Sequence, residues 1–193
     1  RDISTSLGGT FVLEEANKRA KISPKNASVA IQGFGNVGMN AAKLLHEQGY
    51  KVIAASDSKA GIYDDNGLNI PNVIKHKEKS GSLENYRDAK QITNMEILEL
   101  ECDILVPAAL GSVITKENAG KIKAKIVLEL ANGPITPEAD LALQKNKAVV
   151  VPDILANAGG VVVSYFEWVQ NSMNYYWKKD EVYEKLKEKM TAA

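Results

Sequence analysis

The residues best placed to do chemistry are the six that run Gly33, Phe34, Gly35, Asn36, Val37, Gly38. Gly33 lets the chain turn tightly off a strand, Gly35 lets backbone approach a pyrophosphate, and Gly38 lets a following helix lie close on the sheet. Residues 39–46 form a helix readily and put Ala41, Leu44 and Leu45 on one face. The N–H groups of that helix start would face whatever sits over Gly35, and an anion is the favoured occupant. Asp57 comes 24 positions after Gly33, about where an acid reaches a ribose 2′-hydroxyl. A glycine pattern of this kind also serves in merely structural turns, so its setting decides between the two.

That setting is regular. Val29, Ala30 and Ile31 lead into the glycines as a short uncharged run, the pattern of a fully buried parallel strand, and residues 52–55 repeat it after Gly49. Strand, glycine turn, helix, strand and acid in that order favour a dinucleotide site. Further strands are expected over 102–107, 126–130 and 149–152, each running into small or polar residues: Ala108, Ala109 and Leu110; Ala131 and Asn132; Asp153 through Val161. Small residues past a strand end admit a flat ligand, although alanines there also simply relieve packing. Strands alternate with helices at least five times, predicting a Rossmann-like, doubly wound α/β fold, its mostly parallel sheet carrying helices on both faces. In such sheets ligands bind at the carboxyl edge, where Asp57, Asn132 and Asn157 all fall.

Between these stations the reading is local. Ser4 and Thr5 are expected to cap a helix running from Thr10 toward Lys21. Asn66 and Gly67 predict a hairpin pairing residues 61–63 with 68–70. A helix should follow Pro71, and its basic run, residues 75–79, reads as a solvated face. Thr93 and Glu96 have capping-box spacing, Thr115 is expected to cap a helix through Lys121, and Pro137 to open another helix. The stretch 153–161 reads as a loop before a helix over 162–171. Phe166, Trp168, Tyr175, Tyr176 and Trp177 read as packing rather than base stacking. The tail over 180–190 sets Val182, Leu186 and Met190 on one stripe, and that helix reads as cut at Ala193.

With 193 residues the chain can form one well-cored domain. Its 24 basic residues balance 24 acidic ones, which gives no reason to expect a nucleic-acid partner. Apolar runs are strand-length, too short for a membrane span. A single cysteine, Cys102, allows no internal disulfide and fits a reducing, cytoplasmic compartment, and two distant histidines, His46 and His76, offer no metal-ligand spacing.

Five motifs in order carry a wider likeness: the glycine run; Ser56, Asp57, Ser58; Pro107 to Leu110; Ala131, Asn132, Gly133, Pro134; and Pro152 through Val161. Together they resemble the cofactor-binding domain of glutamate dehydrogenase, in the glutamate, leucine, phenylalanine and valine dehydrogenase family, over essentially the whole chain. The resemblance implies a single dinucleotide-binding domain over 1–193, with the start of a C-terminal helical extension. It implies NAD as cofactor, with NADP or dual use open, since Asp57 would repel a 2′-phosphate and Lys59 could neutralise one. By position, Thr5 matches a contact to the nicotinamide carboxamide, and Gly33 to Gly38, chiefly Gly35, Asn36 and Val37, the pyrophosphate cradle. Asp57 and Ser58 match the adenosine ribose station, Ala108 and Ala109 the adenosine side, and Asn132 and Asn157 the nicotinamide ribose. Val161 and Ser164 match substrate contacts, Ser164 reaching a distal carboxylate and so favouring glutamate over the apolar substrates of the other members.

Two departures stand out. Leu130 follows Glu129 where members usually have glycine, and Ser6 and Leu7 stand where a small residue and an arginine are common. The family's catalytic lysine and aspartate lie on a substrate domain with no match here, so the expectation is an excised cofactor domain of a homo-hexameric parent, binding cofactor and amino acid but not turning over alone. A cofactor domain of another amino-acid dehydrogenase, or a stand-alone nucleotide-sensing module, are the alternatives.

Overall fold

The computed structural model describes residues 3–193, so Arg1 and Asp2 of the expected 1–193 domain lie outside the described residues. A long helix, α1 (Ser4–Ala20), leads to strand β1 (Ser28–Gln32), the glycine turn, helix α2 (Asn36–Glu47) and strand β2 (Lys51–Ser56). Then come β3 (Gly61–Tyr63), α3 (Ile70–Ser80), β4 (Lys90–Ile92), α4 (Asn94–Leu98), β5 (Ile104–Pro107) and β6 (Ile126–Leu128). The last elements are α5 (Pro137–Lys145), β7 (Val149–Val151), α6 (Asp153–Ala156), α7 (Gly159–Met173) and α8 (Lys179–Ala192).

Among the described residues the strands form one sheet in the order β4-β3-β2-β1-β5-β6-β7. β2, β1, β5, β6 and β7 pair in parallel, while β3 runs antiparallel to both β2 and β4. The chain leaves β1 toward β2 on one side and later returns to place β5 on the other, so strand order reverses at β1. A crevice at the carboxyl ends of β1 and β5 follows from that reversal. Side chains alternate across the sheet: Val29 and Ile31 join a core with Leu13, Leu45, Val73 and Leu186, whereas Ala30 joins Ile97, Leu105, Val127 and Leu143 on the other face. Both faces are covered, which is why the central strands are apolar runs rather than alternating ones. The fold is therefore the doubly wound α/β architecture read from the sequence.

Several local expectations need correction. α1 starts at Ser4 with Ile3 as N-cap and no side-chain cap, so Ser4 and Thr5 lie inside the helix rather than capping it. The two glycines that this earlier start takes into the helix, Gly8 and Gly9, are needed for packing. A methyl on Gly8 would come within 2.8 Å of the Gly159 Cα, and one on Gly9 within 2.6 Å of Leu130 Cδ2. The Asn66–Gly67 turn forms, with Gly67 at φ +100°, but residues 68–70 do not pair with 61–63. Leu68 N–H donates to the Val52 carbonyl and Ile70 starts α3, while β3 takes β2 and β4 as partners. Thr115 opens only a short turn ending in a 3-10 segment, Ala119–Lys121, with the Thr115 N–H donating to Asn118 Oδ1. The stretch 153–161 is not a loop: α6 and the start of α7 occupy most of it. Of the aromatic group, Phe166 packs edge-on against Trp177 at 5.7 Å, whereas Trp168, Tyr175 and Tyr176 are exposed. The stripe of α8 buries Leu186 and Met190 as expected.

Candidate functional site

Most of the proposed stations lie beyond the ends of parallel strands, while Thr5 lies on α1 and Val161 and Ser164 on α7, and local chemistry explains how they are held. At the end of β1, Gly33 adopts φ +103°, a conformation closed to most side chains, and a methyl on it would come within 2.6 Å of Ala109 Cβ. The loops after β1 and β5 therefore meet at the crevice. Gly35 is the N-cap of α2 in extended conformation, and a methyl there would meet no chain atom within 4 Å. A methyl on Gly38 would run into the Gly33 carbonyl, so this glycine lets α2 start directly on the turn. The outcome is a backbone cradle, open above Gly35, with the positive end of a helix as its floor. Phe34 is buried in the core, Asn36 is exposed with its Oδ1 accepting from Asn40 Nδ2, and Val37 is half-buried. The leading amides of such a helix start favour an anion.

On the far side, Asn132 and Asn157 are brought together: Asn157 Nδ2 donates to Asn132 Oδ1 at 2.7 Å. Their loops are held by carboxylates that the sequence reading missed. Asp153 Oδ2 accepts from the Gly133 N–H at 2.8 Å, and Glu129 Oε2 accepts from the Asp153 N–H at 2.8 Å. Burial pushes the Glu129 carboxyl above its ordinary value, against the opposing effect of that bond. Leu130, the departure after Glu129, lies against Gly9 on α1, so its bulk is taken up by a helix that has no side chain there. Ser6, the other departure, donates from Oγ to the Val37 carbonyl at 2.8 Å and ties α1 to the first turn of α2.

Thr5 meets α7 at Gly160, where a methyl would come within 2.7 Å of Thr5 Oγ1. Val161 is 74% exposed on the first turn of α7, and Ser164 lies one turn on with its hydroxyl donating to the Gly160 carbonyl at 2.9 Å. Ala108 is half-buried and Ala109 exposed at the crevice, and Ser58 is exposed beyond β2. Asp57 differs from these: its carboxylate points into the protein. Oδ1 accepts from the amides of Lys59 and Ala60 at 2.8 and 3.0 Å, and Oδ2 from Lys77 Nζ and the Leu83 amide at 2.6 and 2.8 Å. Burial alone would raise its pKa, but Lys77 and the three amides outweigh it and hold the carboxyl below its ordinary value. Lys77 thus departs from the expected solvated face. Nothing in the sequence flagged it, because the bond joins the end of one strand to the last turn of the next helix, 20 residues on.

Across all 193 residues the chain matches the sequence model of the Glutamate/Leucine/Phenylalanine/Valine dehydrogenase family. The chain belongs to that family. An NAD-specific glutamate dehydrogenase of Staphylococcus aureus (strain COL) is 49% identical over the whole of this chain, which spans 46% of that protein. The hetero-hexameric glutamate dehydrogenase of Thermus thermophilus in its Leu-bound form superposes with a TM-score of 0.93 at 34% identity, over all of this chain and 45% of that one. Glutamate dehydrogenase of Peptoniphilus asaccharolyticus gives 0.83 at 38% identity, again covering 100% and 45%. The chain thus spans about half the length of the relatives it matches. Among the described residues no helix is long and apolar enough to cross a membrane, and no group of three or more His, Cys, Asp or Glu could hold a metal ion.

Proposed function

We propose that this chain is the NAD-binding portion of a glutamate dehydrogenase, which oxidatively deaminates L-glutamate to 2-oxoglutarate and ammonia. The observation that carries the reading is the continuity of the rim, with a backbone cradle over Gly35 at one end and the bonded Asn132 and Asn157 at the other, across the reversal in strand order. NAD is preferred because the Staphylococcus relative bears an NAD-specific name.

A bound nicotinamide would supply the acceptor for the hydride that leaves the α-carbon of glutamate, and the resulting imine would be hydrolysed by water. The residues of this chain bind and orient. The leading amides of α2 hold the pyrophosphate, Gly33 and Ala109 keep the two loops close enough for a dinucleotide to lie across them, and Asn132 and Asn157 receive the nicotinamide ribose. Thr5, fixed against Gly160, presents its hydroxyl to the carboxamide. Val161 and Ser164 face the substrate, with Ser164 turning its hydroxyl from the Gly160 carbonyl to a distal carboxylate. The lysine and aspartate that move protons in this family belong to a substrate domain beyond these residues, so the chain alone binds cofactor without turnover. The full-length parent is a homo-hexamer, and a cytoplasmic location suits its reduced, buried Cys102.

Calorimetry of the folded chain with NADH tests this reading, with one site expected per chain. Absence of heat at millimolar NADH would overturn it. Restored glutamate oxidation on adding the substrate domain would exclude a stand-alone sensing module.

A further inference from the structure

A carboxylate offers about four acceptor positions, and at Asp57 four donors fill them: the amides of Lys59, Ala60 and Leu83 and the ammonium of Lys77. Its side chain is only 6% exposed. The backbone at this residue is committed too, its N–H donating to the Ala60 carbonyl and its carbonyl accepting from Asn94 Nδ2 at 2.8 Å. A ribose hydroxyl can therefore reach this carboxylate only by displacing a donor. Three of the four are amides fixed by the turn over 57–60 and the segment after α3. The fourth, Lys77, is the only side chain among them, and its Nζ also donates to the Gly81 carbonyl at 3.0 Å. It brings a positive charge against the negative one at 2.6 Å. The other charged groups near the turn are Lys59 and Glu84, whose Nζ and Oε2 form an ion pair at 4.0 Å with both side chains well exposed, so the pair is weak.

We propose that Lys77 neutralises and closes the Asp57 carboxylate, so that this carboxylate does not read the adenosine 2′ position and Lys77 sets how strongly the site distinguishes NADH from NADPH. The inference rests on the dinucleotide reading of the preceding subsection. With the pair intact, a 2′-phosphate meets no uncompensated charge from Asp57, and the ribose end is received by the exposed Ser58 and neighbouring backbone. With Lys77 removed, Asp57 is left with a free acceptor position and a full negative charge, which welcomes a hydroxyl and repels a phosphate. Lys77 acts through Asp57 and is a positioning residue.

The test is the ratio of NADPH to NADH dissociation constants, measured by calorimetry at matched ionic strength for the unmodified chain, Lys77→Met and Lys77→Arg. Nuclear magnetic resonance titration of the Asp57 carboxyl runs alongside. Lys77→Met is expected to raise the ratio at least tenfold and to raise the Asp57 pKa, and Lys77→Arg to keep both near their original values. Equal weakening of the two cofactors in Lys77→Met would show that Lys77 only braces the turn, and would overturn the inference, as would an unchanged ratio. If the unmodified chain binds neither cofactor, the dinucleotide reading itself fails and this inference falls with it. If Lys77→Met does not fold, Lys77→Gln is measured in its place, and a ratio unchanged there overturns the inference equally.

Discussion

Two glycines three residues apart, Gly35 and Gly38, should respond to the same substitution in opposite ways. An alanine methyl at Gly35 meets no chain atom within 4 Å, and φ is −85°, so the fold accepts it. Its cost is the poorer N-cap preference of alanine, about 0.5–1 kcal/mol, or about 1–4 °C in Tm for a chain of this size. That methyl, however, stands where a phosphate oxygen must approach the leading amides of α2. Loss of one or two charge-assisted hydrogen bonds, at about 1.5–3 kcal/mol in all, lowers NADH affinity ~10–100-fold. At Gly38 the methyl collides with the Gly33 carbonyl, and a backbone atom cannot swing aside as a side chain can. Helix α2 must lift off the sheet, at a cost of about 3 kcal/mol and about 6–12 °C in Tm. Thermal unfolding followed by circular dichroism, paired with calorimetry against NADH, reads both quantities on each variant. Wild-type affinity in Gly35→Ala, or wild-type melting in Gly38→Ala, would refute the division of labour argued from the geometry.

Asn157→Ala removes the 2.7 Å bond to Asn132 at a half-exposed position, so NADH affinity should fall about tenfold, the equivalent of ~1.4 kcal/mol, with Tm nearly unchanged. Leu105→Ala empties a fully buried site in the central sheet and should cost about 2–5 kcal/mol in urea unfolding. Asp57 and Asp103 both titrate below their ordinary values in the fold, so the stability they contribute is present above about pH 4 and is lost as pH falls through their folded pKa values; acid titration of unfolding should show that loss. Burial pushes the Cys102 thiol from 9.0 to about 12, so its contribution is complete below pH 9.0 and fades as pH rises toward 12. A thiol reagent at pH 8 should accordingly label the chain only after denaturation.

Much of this molecule was legible before its structure. Runs such as Val29 to Ile31 and residues 52–55 could only be strands buried on both faces, and the glycine spacing located the turn between β1 and α2. The errors fell where a local signal was true and its partner was not. Asn66 and Gly67 do make a turn, but the segments on either side bond to β2, at Ile53 and Val52, instead of to each other. Gly8 and Gly9 look like breakers, yet α1 runs through them because Gly159 and Leu130 occupy the space that side chains would need. At the site, the positions of Asn132 and Asn157 followed from strand ends. The grip of Lys77 on Asp57 did not, because no periodicity links the last turn of α3 to the end of β2.

The close approach of α1 and α7 carries a consequence for how such a chain can drift over generations. Where Gly8 lies on Gly159, and Gly159 on the Ser4 carbonyl, main chain rests almost directly on main chain, so enlarging either glycine forces the two rods apart and no side-chain change on the opposite side can make room. Neutral variation is therefore barred from this seam and must accumulate elsewhere, on the solvent flank of α8 and the open outer strand β4. A saturation library selected for folding would show these glycines as a narrow band of intolerance running through surroundings that accept change freely.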